Sequence, residues 1–204
     1  MIAIIDYGVG NLFSLKSSLA AIGREAVVTG DRAVLRAASH VILPGVGAFG
    51  DAAARLRAAG MAEAVLEAAA AGKPVLGICL GMQLLLERSF EYGEHRGLGL
   101  ISGQVRDIGS VLPSGLAVPH MGWNQIEICR QDPLFAGLPE NPYFYFVHSY
   151  YVDAADKSCV LARVDYGVPM DVAVRRDNLC AVQFHPERSG ACGLQLLKNF
   201  AAMR

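Results

Sequence analysis

The sequence predicts an α/β protein in three layers, with a mostly parallel central sheet flanked by helices and antiparallel strands added to it. Two observations carry this prediction. In the first half of the chain, short apolar runs alternate with segments whose apolar residues recur at helical spacing, which is typical of parallel strands joined by helices. In the second half, strand-like runs are more frequent and are separated by turns that contain Gly and Pro, which favours antiparallel pairing.

The composition limits the class of protein. A chain of 204 residues predicts one domain, residues 1–204, and its 53% hydrophobic and 18% charged residues exclude a mostly disordered chain. A net charge of −1 gives no reason to expect nucleic-acid binding, and five cysteines without a CxxC pair indicate neither a disulfide framework nor a zinc site. Because the sequence shows no signal peptide and no apolar segment long enough for a bilayer, we predict a soluble, cytoplasmic protein without membrane contact.

The first half of the chain is predicted to form strand–helix units. The apolar run 2–6 is typical of a strand buried on both faces. Leucines recur at helical spacing in 11–21, which predicts a helix that ends near Gly23. The elements predicted next are a strand at 26–29, a helix at 32–38, a strand at 40–44, helical sequence at 51–71 with a break at Gly60, a strand at 74–76 and a helix at 82–87.

The second half is predicted to consist mainly of strands. Turn signals such as Gly137-Leu138-Pro139 separate some of the apolar runs. The candidate strands are 98–108, 118–128, 143–152, 159–164, 170–175 and 180–185. A last helix over 189–203 would carry Leu194, Leu197 and Phe200 on one face.

The segment Gly77-Ile78-Cys79-Leu80-Gly81 places a cysteine between a predicted buried strand and a predicted helix. A reactive residue flanked by glycines at a sharp strand-to-helix turn is a nucleophile elbow, here with Cys in place of Ser. The glycines relieve crowding, and a sulfur at a helix N-terminus is favoured as thiolate. A free cysteine is often only a small buried hydrophobe, but the flanking glycines favour a nucleophile at Cys79.

A base for this nucleophile is predicted at His185. The run 180–184 is typical of a buried strand, and side chains two apart on an extended chain point the same way, so His185 and Glu187 would be neighbours. Pro186 would keep the segment extended. Glu187 could then hold the imidazole in one tautomer, which predicts a Cys79–His185–Glu187 triad at the carboxyl ends of parallel strands.

An acyl-transfer site also needs donors for an oxyanion. The backbone N–H of Leu80 is one candidate, and the loop Gly45-Val46-Gly47 is the other, although a Gly-rich turn alone is a common structural feature. A second Gly-rich segment, Gly8-Val9-Gly10, does not predict a dinucleotide site, because Phe13 occupies the third glycine position. The histidines at 40, 95 and 120 lack metal-ligand spacing, so no metal site is predicted.

Together these motifs resemble those of class I (triad) glutamine amidotransferases. The stretches that carry the resemblance are Gly-Ile-Cys-Leu-Gly-Met-Gln at 77–83, Pro-Gly-Val-Gly at 44–47 and Phe-His-Pro-Glu at 184–187. Three further stretches, at 5–12, 119–124 and 146–151, are similar to those of the glutaminase subunits of imidazole glycerol phosphate synthases. Of these, Pro-His-Met-Gly-Trp-Asn at 119–124 is the most specific, and the resemblance extends over essentially the whole chain.

The resemblance implies an activity and a partner. Cys79 would attack glutamine, a glutamyl thioester would form and be hydrolysed, and glutamate and ammonia would result without any cofactor. The ammonia would pass to a (β/α)8-barrel cyclase subunit that makes imidazole glycerol phosphate and an aminoimidazole carboxamide ribotide in histidine biosynthesis. The activity would stay low until that partner binds its nucleotide. The residues implied to contact glutamine are Gly47, Gln83, Glu91, Ser149 and Tyr150, with Val46 and Leu80 at the oxyanion.

An exposed Trp or Met among polar residues suits a partner surface. The interface candidates, which rest on the resemblance, are Asn11, Met121, Trp123, Tyr145 and Arg188. Arg188 stands where related subunits commonly carry Lys, which keeps the charge but changes its geometry.

Other functions remain open from the sequence. One is a triad amidotransferase of another pathway, such as pyridoxal phosphate, purine or anthranilate synthesis, which the segments 6–11 and 119–124 disfavour. Another is a non-catalytic regulatory subunit that keeps the fold, which the intact triad disfavours. A cysteine hydrolase of the α/β-hydrolase type would share the elbow but would not explain Gln83.

Overall fold

Short strands alternate with helices through the first half of the chain in the computed structural model, which describes residues 1–204. Gly60, at a φ of +68°, separates two helices where a break was predicted. The predicted helix at 82–87 had wrong bounds: the helix begins at Leu80, directly after Cys79, and residue 86 already begins a strand. The elements are β1 (Ile2–Ile5), α1 (Leu12–Ala21), β2 (Ala26–Thr29), α2 (Arg32–Ala37), β3 (His40–Leu43), α3 (Phe49–Ala58), α4 (Met61–Ala70), β4 (Val75–Ile78) and α5 (Leu80–Leu84).

The second half is mainly strands and ends in a helix, as predicted. Two short strands, at 86–89 and 95–96, were not predicted. The first begins within the apolar run Leu84–Leu86, which fits a helix and a buried strand equally well. The elements are β5 (Leu86–Ser89), β6 (His95–Arg96), β7 (Ile101–Asp107), β8 (His120–Gln125), β9 (Glu127–Ile128), β10 (Tyr143–His148), β11 (Tyr150–Ala154), β12 (Val160–Asp165), β13 (Pro169–Arg176), β14 (Leu179–Val182) and α6 (Gly190–Phe200).

Twelve of the strands form one sheet, whose main path runs β2-β1-β3-β4-β14-β13-β11-β7-β5-β6. The five strands from β2 to β14 are parallel to one another, and β14 then pairs antiparallel with β13. The extension beyond β13 is antiparallel except for the parallel pair β7–β5. The predicted α/β fold with a parallel central sheet and antiparallel additions is therefore confirmed. The remaining two strands, β8 and β10, form a separate antiparallel pair.

Helices cover both faces of the parallel strands. Alternate residues of β1 enter different cores, with Ala3 and Ile5 on one face and Ile2 and Ile4 on the other, as the period of a strand requires. Helices α2 to α5 pack on the first face, and α1 and α6 pack on the second. This arrangement gives the three predicted layers. None of these helices is long and apolar enough to cross a membrane.

The predicted strand 143–152 is two strands in different sheets, so its prediction as one element was wrong. The chain leaves the β8–β10 pair at Ser149 and enters the main sheet as β11, beside β7. Buried residues keep the same alternate positions on both sides of Ser149, at Phe144, Phe146 and His148 and again at Val152, although Tyr150 between them is only half-buried. The change of partner is therefore invisible to the pattern. The predicted strand 118–128 is divided for the same reason, since β8 pairs with β10 whereas β9 pairs with β12.

The two glycines that flank Cys79 are required by close packing. A Cβ on Gly81 would lie 1.8 Å from the backbone oxygen of Leu43, at the end of β3. A Cβ on Gly77 would lie 2.9 Å from the backbone oxygen of Gly81. Because both contacts are with backbone, a side chain cannot be accommodated by a change of rotamer. Neither glycine has a positive φ, so crowding, not backbone conformation, explains both positions.

We expect the substitution Gly81→Ala to destabilise the fold by about 1–3 kcal/mol, the usual cost of overpacking a core. It should also push α5 away from β3. Gly109→Ala is the matched control, because a Cβ there would meet only the Asp107 side chain, at 3.4 Å, and should change stability by less than about 0.5 kcal/mol. Urea unfolding of the two variants measures the difference. Equal urea midpoints for Gly81→Ala and Gly109→Ala would show that β3 and α5 can move apart to accept the methyl group without loss of stability.

Candidate active site

Three neighbouring parallel strands, β3, β4 and β14, end at one edge of the sheet, where ligands bind in open α/β folds. A cavity of about 300 Å³ lies at this edge. It brings together Cys79, His185 and all seven residues predicted for the oxyanion and the substrate. The lining residues are Val46, Gly47, Cys79, Leu80, Gln83, Glu91, Pro119, Val147, His148, Ser149, Tyr150 and His185.

Cys79 holds a strained backbone conformation at the end of β4. Its φ of +54° and ψ of −114° lie outside the regions that residues with a Cβ adopt readily, at a cost on the order of 1–3 kcal/mol. The Cys79 N–H donates to the Val182 carbonyl of β14 at 2.8 Å, so the strand pairing helps to hold this conformation. A cysteine that served only to pack the core would not need this strained backbone conformation.

His185 and Glu187 meet, but not through an extended chain. The Nδ1 atom of His185 lies 2.8 Å from Oε1 of Glu187, whose side chain is 1% exposed. The prediction that Pro186 keeps the segment extended was wrong, because residues 186–188 form one turn of 3-10 helix. The Ser189 hydroxyl fixes this turn, because it donates to the His185 carbonyl at 2.6 Å and accepts from the Tyr145 N–H at 3.0 Å.

His185 is set up to carry a proton. Burial lowers the pKa of His185, but interactions with the Cys79 sulfur and the Glu187 carboxylate outweigh it and raise the pKa to about 10. The other ring nitrogen, Nε2, is buried without a hydrogen-bond partner in the chain. Since Glu187 holds Nδ1, Nε2 is the nitrogen that faces the chemistry of the cavity.

A buried amide that the sequence analysis missed lies beside the sulfur. Nε2 of Gln183 donates to Sγ of Cys79 at 3.6 Å, and Oε1 of Gln183 accepts from Nε2 of Gln83 at 3.0 Å. Gln83 also donates to the Tyr150 carbonyl at 3.1 Å, so both of its amide hydrogens are used and only its carbonyl oxygen is free for a ligand. The available signal was an amide within the apolar run 180–184.

Glu91 presents one carboxylate oxygen to the cavity. Its Oε2 accepts from the Phe49 N–H at 2.5 Å, which leaves Oε1 for a ligand. Burial raises the pKa of Glu91, and the Phe49 N–H opposes this shift.

The loop 44–47 has one packed glycine and one free glycine. The Tyr7 hydroxyl donates to the Pro44 carbonyl at 2.8 Å, and a Cβ on Gly45 would lie 2.8 Å from that hydroxyl oxygen. Gly47 has a φ of +95° and no atom within 4 Å of an added Cβ. Burial and the nearby Cys79 raise the pKa of the Tyr7 phenol, which therefore stays protonated and donating.

Four of the five interface candidates lie on one exposed surface. The outward face of the β8–β10 pair carries Met121, 60% exposed, and Trp123, 54% exposed, whose ring packs edge-on against Tyr145. The Arg188 guanidinium lies over the Tyr145 ring, 5.9 Å from its centroid. Asn11 is not on this pair of strands but directly precedes α1, which packs against the 186–188 turn. The side-chain nitrogen of Asn11 has no partner in the chain.

Known proteins resemble this chain over its whole length. The family model for class I glutamine amidotransferases matches residues 3–203. The chain is 51% identical over 206 residues to the imidazole glycerol phosphate synthase subunit HisH of Syntrophotalea carbinolica, with 100% of both chains covered. It is 52% identical over 200 residues to the protein of the same name from Methanothermobacter thermautotrophicus, covering 98% of this chain and 97% of that protein.

Solved structures share the fold at low sequence identity. A crystal structure of a glutamine amidotransferase has a TM-score of 0.76 at 21% identity and covers 99% of this chain and 100% of its own. PurLQS from Thermotoga maritima has a TM-score of 0.75 at 22% identity and covers 98% of this chain and 96% of its own. At this identity the likeness concerns the fold alone.

We expect Glu187→Gln to lower the pKa of His185, because the neutral amide removes one of the two interactions that raise it. In the wild type the imidazolium should persist above pH 7 and deprotonate as the pH approaches 10; in the variant deprotonation should begin at lower pH. NMR titration of the ring nitrogens measures this. Glu63→Gln, on the exposed face of α4, is the control. An unchanged His185 titration in Glu187→Gln would contradict the assigned contact.

Proposed function

The chain belongs to the class I glutamine amidotransferase family, and we propose that it is the glutaminase subunit of an imidazole glycerol phosphate synthase. The observation that carries the proposal is the meeting of Cys79 with the His185–Glu187 pair in one cavity at the edge of β4 and β14. The full-length identity of 51% to a HisH subunit supports the assignment to histidine biosynthesis. Its location in the cytoplasm is part of the proposal.

The proposed reaction is glutamine hydrolysis through a thioester. Cys79 Sγ attacks the side-chain amide carbon, and the carbonyl electrons move to oxygen. As the C–N bond breaks, His185 Nε2–H gives its proton to the nitrogen, which leaves as ammonia. Water then attacks the glutamyl thioester and gives a proton to Nε2, and the C–S bond breaks to release glutamate. Glu187 stabilises the imidazolium through Nδ1 in both steps.

The remaining cavity residues suit the other groups of glutamine. Leu80 begins α5, so its N–H has no carbonyl to bond within that helix and can donate to the oxyanion. The second donor would come from the Val46–Gly47 peptide, which has room to turn. The free oxygens of Gln83 and Glu91 can accept from the substrate ammonium. The Tyr150 carbonyl cannot, because it already accepts two hydrogen bonds, so Ser149 and Tyr150 would contact glutamine through other groups.

The proposed partner is a cyclase subunit that takes the ammonia. The exposed aromatic surface of β8 and β10 suits a protein partner, because Trp and Tyr are enriched in interface cores. Val147 lies on the same face as Tyr145 and also lines the cavity, so the surface and the cavity adjoin there. Ammonia formed at Cys79 would then be released beside the partner.

We expect glutamate release to be strongly stimulated when the chain is mixed with the cyclase subunit and that subunit's nucleotide substrate. Cys79→Ala should lower the rate of glutamine-dependent synthesis by several orders of magnitude and leave the rate of ammonia-dependent synthesis unchanged. Cys129→Ala, at an exposed cysteine, is the control. Coupled assays of glutamate and of imidazole glycerol phosphate measure both.

Each other outcome of this assay has a meaning. Glutamate release that is insensitive to the cyclase would keep the glutaminase and move the protein to another pathway. A folded chain that releases no glutamate in any mixture would indicate a non-catalytic subunit. Loss of both syntheses in Cys79→Ala would indicate a structural role for that residue.

Trp123→Ala should weaken binding to the cyclase by about 30-fold, the effect of a hot spot of about 2 kcal/mol. The free chain should unfold as the wild type does, because the indole is 54% exposed. Leu66→Ala, at an exposed position of α4 on the other face of the sheet, is the control. Titration calorimetry measures the affinity, and an unchanged affinity in Trp123→Ala would place the interface elsewhere.

A further inference from the structure

Two buried histidines on the inward face of the β8–β10 pair have no part in the proposed chemistry. His120 and His148 are paired across the two strands, and Nδ1 of His120 lies 2.9 Å from Nε2 of His148. His120 is fully buried, with its ring stacked on Phe146 at 4.8 Å and on Tyr166 at 4.1 Å between centroids. An ordinary core position would favour an apolar residue, so these polar rings need an explanation.

The hydrogen bonds determine the tautomer of each ring. Nδ1 of His148 lies 2.9 Å from the Tyr150 carbonyl, so that nitrogen carries the hydrogen and donates. Burial lowers the pKa of His148 to about 3 and lowers that of His120, so both rings are neutral. Nε2 of His148 is then an acceptor, and Nδ1 of His120 must donate to it. Nε2 of His120, 2.9 Å from Oδ1 of Asn124, needs a donor, which a half-turn of that amide supplies.

The same chain of hydrogen bonds continues to the sulfur of the site. The Tyr150 carbonyl that accepts from His148 also accepts from Gln83 at 3.1 Å. Gln83 donates in turn to Gln183 at 3.0 Å, and Gln183 donates to Cys79 Sγ at 3.6 Å. The Gln83–Gln183 and Gln183–Cys79 bonds are buried, which shields them from competition with water.

We propose that His120 and His148 are positioning residues, a neutral imidazole pair that holds the Tyr150 carbonyl and, through Gln83 and Gln183, orients the Cys79 sulfur. This chain of hydrogen bonds, from Asn124 through His120, His148, Tyr150, Gln83 and Gln183 to Cys79, is called the relay. It begins at Asn124 on β8, beside the exposed Trp123 of the proposed partner surface. The position of β8 therefore bears on the sulfur through consecutive hydrogen bonds between buried groups. This inference rests on the proposed glutaminase function, because only that function gives the sulfur a reaction to perform.

A matched pair of variants at His120 separates the relay from simple packing. His120→Asn keeps an N–H near the position of Nδ1 but loses the stacked ring and the contact of Nε2 with Asn124. His120→Phe keeps a ring between Phe146 and Tyr166 but leaves Nε2 of His148 without its donor. In the complex with cyclase and its nucleotide, kcat for glutamine hydrolysis should fall about tenfold in His120→Phe, as for one lost buried hydrogen bond, with KM much less affected. In His120→Asn, kcat should stay near the wild type.

The reverse order, with His120→Phe active and His120→Asn impaired, would overturn the relay in favour of ring packing. Equal kcat values for both variants and the wild type would also overturn it. A wild-type complex that does not hydrolyse glutamine would instead refute the proposed function, so the two failures are distinct.

A measurement on the free wild-type chain tests the relay without any activity and without a variant that must fold. Long-range 1H–15N spectra at pH 7 should show His120 and His148 neutral, both protonated at Nδ1. His148 protonated at Nε2, or a charged ring at either position, would contradict the direction assigned to the hydrogen bonds.

Discussion

Residue pairs from Val75 opposite Leu179 to Ile78 opposite Val182 join β4 to β14 in parallel. Because both strands end at the same edge of the sheet, the segments that follow them deliver Cys79 and His185 to one cavity although they are far apart in the chain. The ladder also continues by one bond into Cys79, and so opposes relaxation of its strained φ. A slip of one residue in this register would turn every strand side chain to the other face and separate the pair.

The residues of the site that sequence analysis identified are those whose evidence is local. Cys79 stands between glycines, and His185 and Glu187 are two residues apart; that spacing brings them together in a 3-10 turn as well as in the extended chain that was predicted. Gln183 and His148 were missed because their roles come from non-local contacts. The change of sheet at Ser149 was missed because the buried residues keep the same alternate positions on both sides of it.

The two faces of the β8–β10 pair lie in different environments, one exposed on the surface and the other packed against the protein interior. Its outward face bears the exposed aromatic residues, and its inward face bears the imidazoles beside Phe144 and Phe146, which pack on Phe184. Side chains on opposite faces of a strand alternate, so neighbouring residues of β8 meet the proposed partner and the protein interior in turn. A shift of this pair cannot stay confined to the surface. This arrangement suits a subunit whose reaction has to follow the state of another protein.

The two glycines of the loop after β3 differ in what each would tolerate. Gly45 lies against the Tyr7 hydroxyl and Leu80, so a methyl group of either chirality would be opposed by packing or by backbone geometry. Gly47 has open space and a φ of +95°, a region that suits a D-amino acid. The φ of +95° alone means that a semisynthetic chain with D-alanine at 47 would favour the backbone conformation of the present loop, and it would lose fewer conformations on folding than glycine does. It would bias the loop toward its present state and so offer a chemical means to compare a restrained loop with a free one.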